Sequence, residues 1–358
     1  MEPYNIHTFY TFDTEYSADS VEWCPHEPNQ NIFVCANYQL VDNPTESTTK
    51  KRVGRLLLFS IDSDYGLKLL QTIDTPAILD QKWCHKKLWN CSVLGVTNAE
   101  RKVDIYKLNN ETLQLELVTS CDVDTDVSET LVLSLDWSTA IPDSDKLEIS
   151  CSDSKGNIHI LELVNDTLAL KESWHGHDFE AWITGFYYWD TNIIFSGGDD
   201  SMFLKYDRRL GSAPVSKNRS HEAGVTSFHS NSSKEYIVVS GSYDEHIRLW
   251  DIRRMKSEIE SLKMPGTLWR LKWDPFNHDK LLAACMLGGV HIVDTSNSHK
   301  MEIIASHYGH KNIAYGADWC YLSKKESARF EGTGEHIIGS CSFYDHLLCI
   351  SKVNVDNK

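Results

Sequence analysis

The chain has few basic residues for its acidity and no long hydrophobic run. Its 35 lysines and arginines are outnumbered by 51 aspartates and glutamates, which gives a formal net charge of −16 at pH 7. Nucleic acids and anionic membranes carry the same sign, so both are disfavoured as partners. No apolar segment approaches the length of a membrane span, and the N-terminus lacks the basic-then-apolar pattern of a signal peptide.

Metal-binding cysteine patterns are missing as well. Ten cysteines are present, but none has Cys-x-x-Cys spacing. Cys84, His85 and Cys91 lack a second pair of ligands at suitable spacing, so we expect neither a metal nor another cofactor. Five other cysteines fall on predicted strands, where a reduced thiol packs as a small hydrophobic group: Cys35, Cys151, Cys285, Cys341 and Cys349. This usage fits a reducing compartment, and we expect the protein in the cytoplasm.

Signals for two further structural classes are absent. No segment shows a long helical period, which argues against an open β-sandwich with a helical appendage. No Gly-x-Ser-x-Gly motif is present, and Ser240-Gly-Ser242 does not supply one. The sequence therefore excludes a serine hydrolase of the α/β class.

The most informative segment that is present reads SGSYDEHIRLWDIR, at residues 240–253. It has the form of one blade of a WD-repeat β-propeller. A strand ends in small residues, a tight turn holds an aspartate, and the next strand ends in Trp-Asp. An apolar strand needs neighbours on both sides, so one blade implies others.

Seven segments fit a common frame for the inner strand of a blade. The frame places an apolar residue, a second one three positions later, and an aromatic residue two further, with Gln81 and Ser230 as the two exceptions. The frames are Ala18/Val21/Trp23, Ile78/Gln81/Trp83, Val132/Leu135/Trp137, Ile183/Phe186/Tyr188, Val225/Phe228/Ser230, Leu268/Leu271/Trp273 and Ala314/Ala317/Trp319. The last three spacings are close to the roughly 40–45 residue period of WD repeats. We predict an all-β, seven-bladed propeller that occupies residues 1–358 as one domain.

Most of these frames are followed by second and third strands. Alternating segments such as 32–36 with 55–61, and 337–341 with 347–350, have the pattern that paired strands require. Residues 6–14 form one spare strand ahead of the first frame. We predict that this strand completes the last blade and so removes the free edges of the ring. A closed ring has no obligatory edge, so we expect a monomer.

Some polar residues belong to the framework. In a WD blade, a histidine before the inner strand, a hydroxyl, a turn aspartate and the tryptophan form a buried hydrogen-bonded chain. Here these are His221, Ser240, Asp244 and Trp250. The same structural interpretation applies to the histidines of similar loops, which are His175, His177, His307 and His310.

Other residues are not required by the framework. Glu245 and His246 follow the turn aspartate of one blade, and Asp345 and His346 take the equivalent positions in the last blade. Further candidates enter the inner strands or their neighbouring turns, where they would ring one mouth of the central channel and form a pocket. They are Glu180, Trp182, Asp199, Asp200, Tyr243, Trp269, Arg270 and Tyr315. Taken singly, each acid is more simply explained as a residue of a surface turn than as a functional residue. Each aromatic residue is explained equally well by packing between blades.

Several strings carry a closer resemblance. They are DTEYSADSVEWCP at 13–25, AILDQKWCH at 77–85, LSLDWS at 133–138, FEAWI at 179–183, SGGDD at 196–200, GSYDEH at 241–246, LLAACM at 281–286 and YGADW at 315–319. These strings are similar to those of the diphthine methyl ester hydrolases, the WD-repeat family of diphthamide biosynthesis, in its fungal form. The resemblance runs from about residue 13 to 350.

This resemblance implies an esterase. The family removes the methyl ester from methylated diphthine, a modified histidine of elongation factor 2, and releases methanol before the final amidation. The simplest route is hydrolysis by an activated water. His246 with Glu245, or His346 with Asp345, would activate that water. Ser242 as a nucleophile is the alternative. The mouth aromatics would hold the trimethylammonium group, assisted by Asp199 and Asp200.

Fold alone favours a different function. Propellers are mostly scaffolds, and a non-catalytic scaffold for a translation-factor, ribosomal or endosomal trafficking complex remains the alternative. A mouth lined by converging histidine, acidic and aromatic groups would favour the enzyme. A flat apolar mouth would favour the scaffold.

Overall fold

The structure is a computed structural model that describes residues 4–42, 50–124, 130–141, 146–297 and 300–355, with Tyr4 and Asn5 described as backbone only. Nearly all of the regular structure is β-strand. Within these ranges the exceptions are one 3-10 turn at Arg208–Leu210 and one short helix, α1, at Lys324–Ser327. None of the helices in these ranges is long and apolar enough to cross a bilayer.

The strands of the described residues form seven sheets, which are the blades of a propeller, as predicted; each has four antiparallel strands, and one has a fifth strand that pairs parallel. We number the blades by their inner strands, in chain order. Blade 1 contains β3 (Ser17–Trp23), β4 (Ile32–Asp42), β5 (Lys50–Asp62) and β6 (Gly66–Pro76); blade 2 contains β7 (Ile78–Trp83), β8 (Val93–Asn98), β9 (Lys102–Asn109) and β10 (Gln114–Asp122); blade 3 contains β11 (Val132–Trp137), β12 (Glu148–Asp153), β13 (Asn157–Val164) and β14 (Thr167–His175).

Blades 4 to 7 follow the same order. Blade 4 contains β15 (Ile183–Phe186), β16 (Ile193–Gly197), β17 (Phe203–Asp207) and β18 (Ser216–Asn218); blade 5 contains β19 (Val225–Ser230), β20 (Ile237–Ser242), β21 (His246–Asp251) and β22 (Glu260–Lys263); blade 6 contains β23 (Arg270–Trp273), β24 (Lys280–Ala284), β25 (Val290–Asp294) and β26 (Glu302–His307); blade 7 contains β27 (Ala314–Trp319), β28 (His336–Ser342) and β29 (Leu347–Val353).

The N-terminal segment closes the ring. Strand β2 (His7–Asp13) pairs antiparallel with β29 and supplies the fourth strand of blade 7, as the spare strand at 6–14 predicted. Ahead of it, β1 (Tyr4–Asn5) pairs parallel with β26 of blade 6. The first residues of the chain therefore join its last two blades and cover strand edges that would otherwise be exposed.

The tryptophan that ends the sequence frame donates a hydrogen bond to the preceding blade in blades 2, 3, 6 and 7, whereas the indole N–H of Trp23 in blade 1 has no such partner. The indole Nε1 of Trp137 donates to the backbone oxygen of Lys82 at 2.9 Å, and that of Trp319 donates to the oxygen of Lys272 at 3.1 Å. Each of these tryptophans is at most 1% exposed and reaches the inner strand of the preceding blade. The frame thus marks contacts that hold successive blades together.

Backbone N–H groups at the free edges of the inner strands donate hydrogen bonds to carboxylates of neighbouring blades. Asp80 accepts from the Leu135 N–H at 3.0 Å, and Asp136 accepts from the Phe186 N–H at 2.9 Å. Asp318 accepts in the same way from the backbone N–H of Trp23 in blade 1, at 2.7 Å. Buried backbone donors must be paired, so these three carboxylates have a structural role in the channel wall.

The predicted framework chain forms in blade 5. The His221 ring lies 2.7 Å from Ser240 Oγ and 3.0 Å from Asp244 Oδ2, and the Trp250 indole donates to the same hydroxyl at 2.8 Å. These bonds connect the loop before the inner strand to the second and third strands.

Ser240→Ala is expected to lower the free energy of unfolding by about 2–4 kcal/mol, because two buried polar groups lose their partner. Denaturant unfolding followed by tryptophan fluorescence measures the effect. Ser150→Ala is the matched control, since its hydroxyl is equally buried on the second strand of blade 3 but has no hydrogen-bond partner. Equal losses in the two variants would contradict a role for the chain of bonds.

Candidate functional site

The channel has two chemically different mouths. The inner strands begin at one of them, which we call the upper mouth, and end at the lower mouth. Because neighbouring strands are antiparallel, the turns between second and third strands also lie at the upper mouth. All eight residues predicted to ring a mouth lie in these inner-strand starts and turns.

Four aromatic side chains meet at the upper mouth. The ring centroids of Trp182 and Trp269 are 5.6 Å apart at 63°, and Trp269 stacks on Tyr315 at 4.6 Å and 18°. Tyr243 lies 6.3 Å from Trp182 and 6.1 Å from Trp269. The predicted rings therefore form one group, which we call the aromatic cluster. Phe343, which the sequence analysis missed, extends it at 5.1 Å from Tyr315.

Acidic groups lie beside this cluster. Asp199 accepts a hydrogen bond from Trp182 Nε1 at 3.0 Å. Burial raises the pKa of the Tyr243 hydroxyl, and the charges of Asp199 and Glu180 raise it further. A side chain at Gly224 would collide with Asp199 and come within 3.0 Å of Tyr243, so this glycine permits their close approach. A negative potential next to half-buried aromatic rings suits a cation.

Asp200 has a different role from the one predicted. It accepts from His177 Nδ1 at 2.9 Å and from the Met202 N–H at 3.0 Å. His177 in turn bonds Ser196, so blade 4 repeats the framework chain of blade 5. Asp200 is the aspartate that the turn needs, and Asp199 is the additional acid.

The two predicted acid–histidine pairs are not formed. The Glu245 carboxylate lies 3.6 Å from Lys263 Nζ, while the His246 ring bonds the backbone oxygen of Asp244 at 2.8 Å. The imidazole of His246 is partly exposed and is oriented by its own turn. A catalytic role for His246 stays a prediction, and full turnover by a folded His246→Ala variant would remove it from the mechanism.

The predicted alignment of the turn that holds Asp345 and His346 with the turn that holds Glu245 and His246 is wrong by one position. Asp345 accepts from the Lys311 N–H and from the Ser342 hydroxyl, much as Asp244 is held in blade 5. His346 has φ of 54° and so corresponds to Glu245, whose φ is 65°. Blade 7 has one additional residue in this turn, which the sequence comparison did not detect. A catalytic pairing of Asp345 with His346 therefore has no geometric support.

Beneath the aromatic cluster lies a charged floor. Arg270, a predicted site residue, is 6% exposed, and its Nη2 lies 3.1 Å from Asp80 Oδ1. Burial acts to raise the pKa of Asp80, but Arg270 and Lys82 outweigh it and hold the pKa below its usual value. Asp19 is also buried here, and burial raises its pKa to about 8. The sequence analysis missed both aspartates.

The lower mouth holds a cavity of ≈ 220 Å³ that reaches up to Arg270. Lys272 Nζ contacts both carboxylate oxygens of Glu22, at 2.6 and 2.7 Å. Burial raises the pKa of Asp136 to about 6 and that of Asp318 to about 7, so these acids bear less charge than usual. Of the predicted site residues, Arg270 alone lines this cavity, and the acids and the lysine named here are paired or neutralised.

One group of side chains has the chemistry of metal ligands. The ligand atoms of His307, His310 and Cys349 lie within 4.8 Å of one another. His310 is bonded to Ser340 at 2.8 Å, as a framework histidine would be. In the described parts of the chain the group has three members, one fewer than a closed zinc site needs.

The fold and this mouth define a WD-repeat β-propeller with an aromatic, acid-flanked opening suited to a cationic group. A chain in a crystal structure of the mitotic checkpoint complex is similar in shape, with a TM-score of 0.72 at 16% identity, covering 99% of this chain and 94% of that one. That likeness supports the fold alone. No family model matches the chain.

Curated relatives identify the family. A mouse diphthine methyltransferase is 39% identical over 330 residues, covering 87% of this chain and 69% of the relative. A Dictyostelium discoideum diphthine methyltransferase homolog is 36% identical over 94% of this chain and 96% of its own length. The chain belongs to the diphthine methyltransferase family.

The fungal form that the sequence analysis expected stays a prediction. A fission yeast relative named diphthine methyltransferase is 28% identical, covering 94% of this chain and 96% of the relative. This identity is lower than that of the mouse protein, so these values do not favour a fungal source.

Proposed function

We propose that the protein hydrolyses the methyl ester of methylated diphthine on elongation factor 2, giving diphthine and methanol. The observation that carries the proposal is the aromatic cluster at the upper mouth, with Asp199 and Glu180 beside it. Relatives that bear the name diphthine methyltransferase support the choice of substrate.

The reaction fits a site without a cofactor. Hydrolysis of a methyl ester requires only water, a base that takes a proton from it, and hydrogen-bond donors for the developing oxyanion. The floor of the upper mouth offers Asp19 and Asp80 as carboxyl groups and Arg270 as a donor. These are the groups that an ester hydrolase requires.

The substrate carries a quaternary ammonium group next to the ester. Faces of tryptophan and tyrosine attract such a cation, and nearby carboxylates add to the attraction. In the upper mouth, Trp182, Trp269, Tyr243 and Tyr315 supply the rings, and Asp199 supplies a charge that is already fixed by Trp182. The trimethylammonium group would therefore lie among these rings with the ester directed at the floor.

The rim of the upper mouth offers apolar side chains for a protein substrate. Exposed members are Phe179 at 61%, Leu287 at 80%, Tyr308 at 67% and Tyr344 at 65%. Each lies in a loop before an inner strand or in a turn between second and third strands, and so faces the same side. Exposed aromatic and aliphatic groups around a pocket are typical of interaction sites. Elongation factor 2 as the partner places the protein in the cytoplasm.

The decisive experiment mixes purified protein with elongation factor 2 that carries methylated diphthine. We expect the modified peptide to lose one methyl group, seen by mass spectrometry, with methanol released in equal amount. Unmodified factor serves as the control. An unchanged peptide mass under conditions where the two proteins bind would contradict hydrolysis and would favour the second candidate.

That second candidate is a non-catalytic scaffold. The exposed apolar rim favours it as much as it favours a docked substrate. A scaffold would bind elongation factor 2 equally well before and after methylation, because it needs no contact with the modified side chain. Binding that depends on the methylated side chain supports the enzyme.

A further inference from the structure

Most buried polar groups of the channel have a structural partner, but several atoms at the upper mouth lack a hydrogen bond. Asp19 Oδ1, Arg270 Nε and Trp269 Nε1 are buried there without one. Asp80 Oδ1 also lacks a hydrogen bond but lies 3.1 Å from Arg270 Nη2 in an ion pair, and further unpartnered buried atoms occur elsewhere in the described residues. Nearly all buried polar atoms are paired in folded proteins, so such a group needs an explanation.

The three side chains are neighbours. Trp269 immediately precedes Arg270, the first residue of β23, and Trp269 stacks on Tyr315. The charge of Asp19 acts on both Tyr315 and Arg270. One acid and two N–H donors, one of them on a ring of the aromatic cluster, therefore lie together at the upper mouth.

Asp19 lacks the structural role that the other carboxylates of the channel have. Asp80, Asp136 and Asp318 each accept from a backbone N–H of another blade. Asp19 lies at the irregularity between Ala18 and Ser20, where β3 loses its register with β4. The strand irregularity presents this side chain to the mouth without giving it a backbone donor.

We propose that Asp19 is the general base of the ester hydrolysis and that Arg270 Nε and Trp269 Nε1 bind the carbonyl oxygen of the ester. The proposal rests on the proposed function and adds to it the residues that act on the reacting atoms. Because the ester and the quaternary ammonium are attached to one carbon, a site that holds both must place donors next to aromatic rings. The upper mouth has this arrangement.

The reaction balances with these groups alone. The oxygen of a water forms a bond to the carbonyl carbon while Asp19 takes one proton from that water. The carbonyl oxygen becomes negative and is stabilised by the two N–H donors. The bond from carbon to the methoxy oxygen then breaks, and Asp19 returns its proton to that oxygen, so methanol leaves and the acid product remains.

The surroundings of Asp19 tune its ionisation. Burial raises its pKa to about 8, Arg270 lowers it and Asp80 raises it. Tyr315 and Cys341 are the other titratable groups that face it. A bound quaternary ammonium adds a positive charge and so lowers the pKa of Asp19. We expect kcat/KM to rise with pH to a plateau above about pH 8, and the corresponding limb of kcat to lie at lower pH.

Asp19→Asn tests the assignment with the methylated factor as substrate. We expect kcat to fall by 100-fold or more, the usual contribution of a general base, with KM changed little. Asparagine has the shape of the neutral acid, so the variant is expected to fold. Asp19→Glu keeps the carboxyl group and should retain part of kcat.

Asp136→Asn is the matched control. Asp136 is equally buried in the channel and also has a raised pKa, but it lies toward the lower mouth and accepts from the Phe186 N–H. Its variant is expected to keep kcat and the wild-type pH profile. A merely structural role for Asp19 would leave the pH limb of kcat/KM in place in Asp19→Asn.

The outcomes are distinguishable. An active wild-type protein with Asp19→Asn retaining turnover and the pH limb would overturn the role of Asp19 and leave the proposed function standing. A wild-type protein that binds the methylated factor but removes no methyl group would overturn both. Loss of turnover in Asp19→Asn with Asp136→Asn active supports the assignment.

Discussion

The Trp182→Ala protein is expected to show a KM for methylated elongation factor 2 about 30-fold above that of the wild type, with kcat changed little. A desolvated cation–π contact contributes up to about 2 kcal/mol, which corresponds to a factor of roughly 30 in binding. Trp182 lies against both Trp269 and Tyr243 and is held by Asp199, so its loss opens the aromatic cluster.

Steady-state kinetics of methanol release measure this effect. Trp182→Phe retains a ring face and should show a smaller rise in KM. Trp89→Ala is the control, because Trp89 is 43% exposed in the loop between β7 and β8, on the side of the lower mouth. Tetramethylammonium should compete with substrate in the wild type and lose that effect in Trp182→Ala. An unchanged KM in Trp182→Ala would argue against an aromatic cage.

Asp19→Asn is expected to stabilise the fold by about 4 kcal/mol at pH 7, in contrast to its effect on catalysis. The usual pKa of an aspartate is 3.8, and in the folded protein burial raises that of Asp19 to about 8. Between these values the unfolded chain releases the proton and the folded protein keeps it. The wild type therefore loses about 1.4 kcal/mol of stability for each pH unit from about pH 4 to pH 8.

Urea unfolding of both proteins across this pH range gives the measurement. The two stabilities should coincide near pH 4, where Asp19 is protonated in both states, and diverge as pH rises. Asp80→Asn is the informative comparison, since Arg270 and Lys82 hold the pKa of Asp80 below its usual value. That variant should be destabilised at neutral pH. Parallel curves for wild type and Asp19→Asn would show that folding does not raise the pKa of Asp19, which would contradict this prediction.

Stability and activity thus make opposite demands on one side chain. A carboxylate that is costly to bury is retained in a wall where the other acids have backbone partners. Groups of this kind are more often found at functional sites than in frameworks.

The sequence allowed most of the fold to be predicted because its signals are local and repeated. Alternation along the strands and the common frame, which ends in an aromatic residue in all blades but the fifth, located all seven inner strands. The structure explains four of these tryptophans by their bonds to the preceding blade. The spare strand at 6–14 predicted the closure for a similar reason. A strand with no sequential partner needs one elsewhere in the ring.

The site was predicted in part. The four aromatic residues of the cluster were found because residues that enter inner strands, or lie in turns between second and third strands, must face a mouth. Asp19 was missed, although it takes the same position in the first frame as Trp269 and Tyr315 do in theirs. Comparing that one position across all frames was the signal that could have found it.

Turn residues were the least predictable. An additional residue in the turn of blade 7 shifted Asp345 into the framework position, and Asp200 proved to be the bonded member of its pair. A tight turn is defined by backbone angles and bonds to a neighbouring loop. Neither can be read from a short string of polar residues.

The pairing of β2 with β29 has a consequence for how the protein is made. The strand at His7–Asp13 leaves the ribosome long before its partner at Leu347–Val353. Six blades can assemble during synthesis while β2 waits without its neighbour. We expect ring closure to be a late step that follows synthesis of β29, and a chaperone that shields β2 until then would raise the yield.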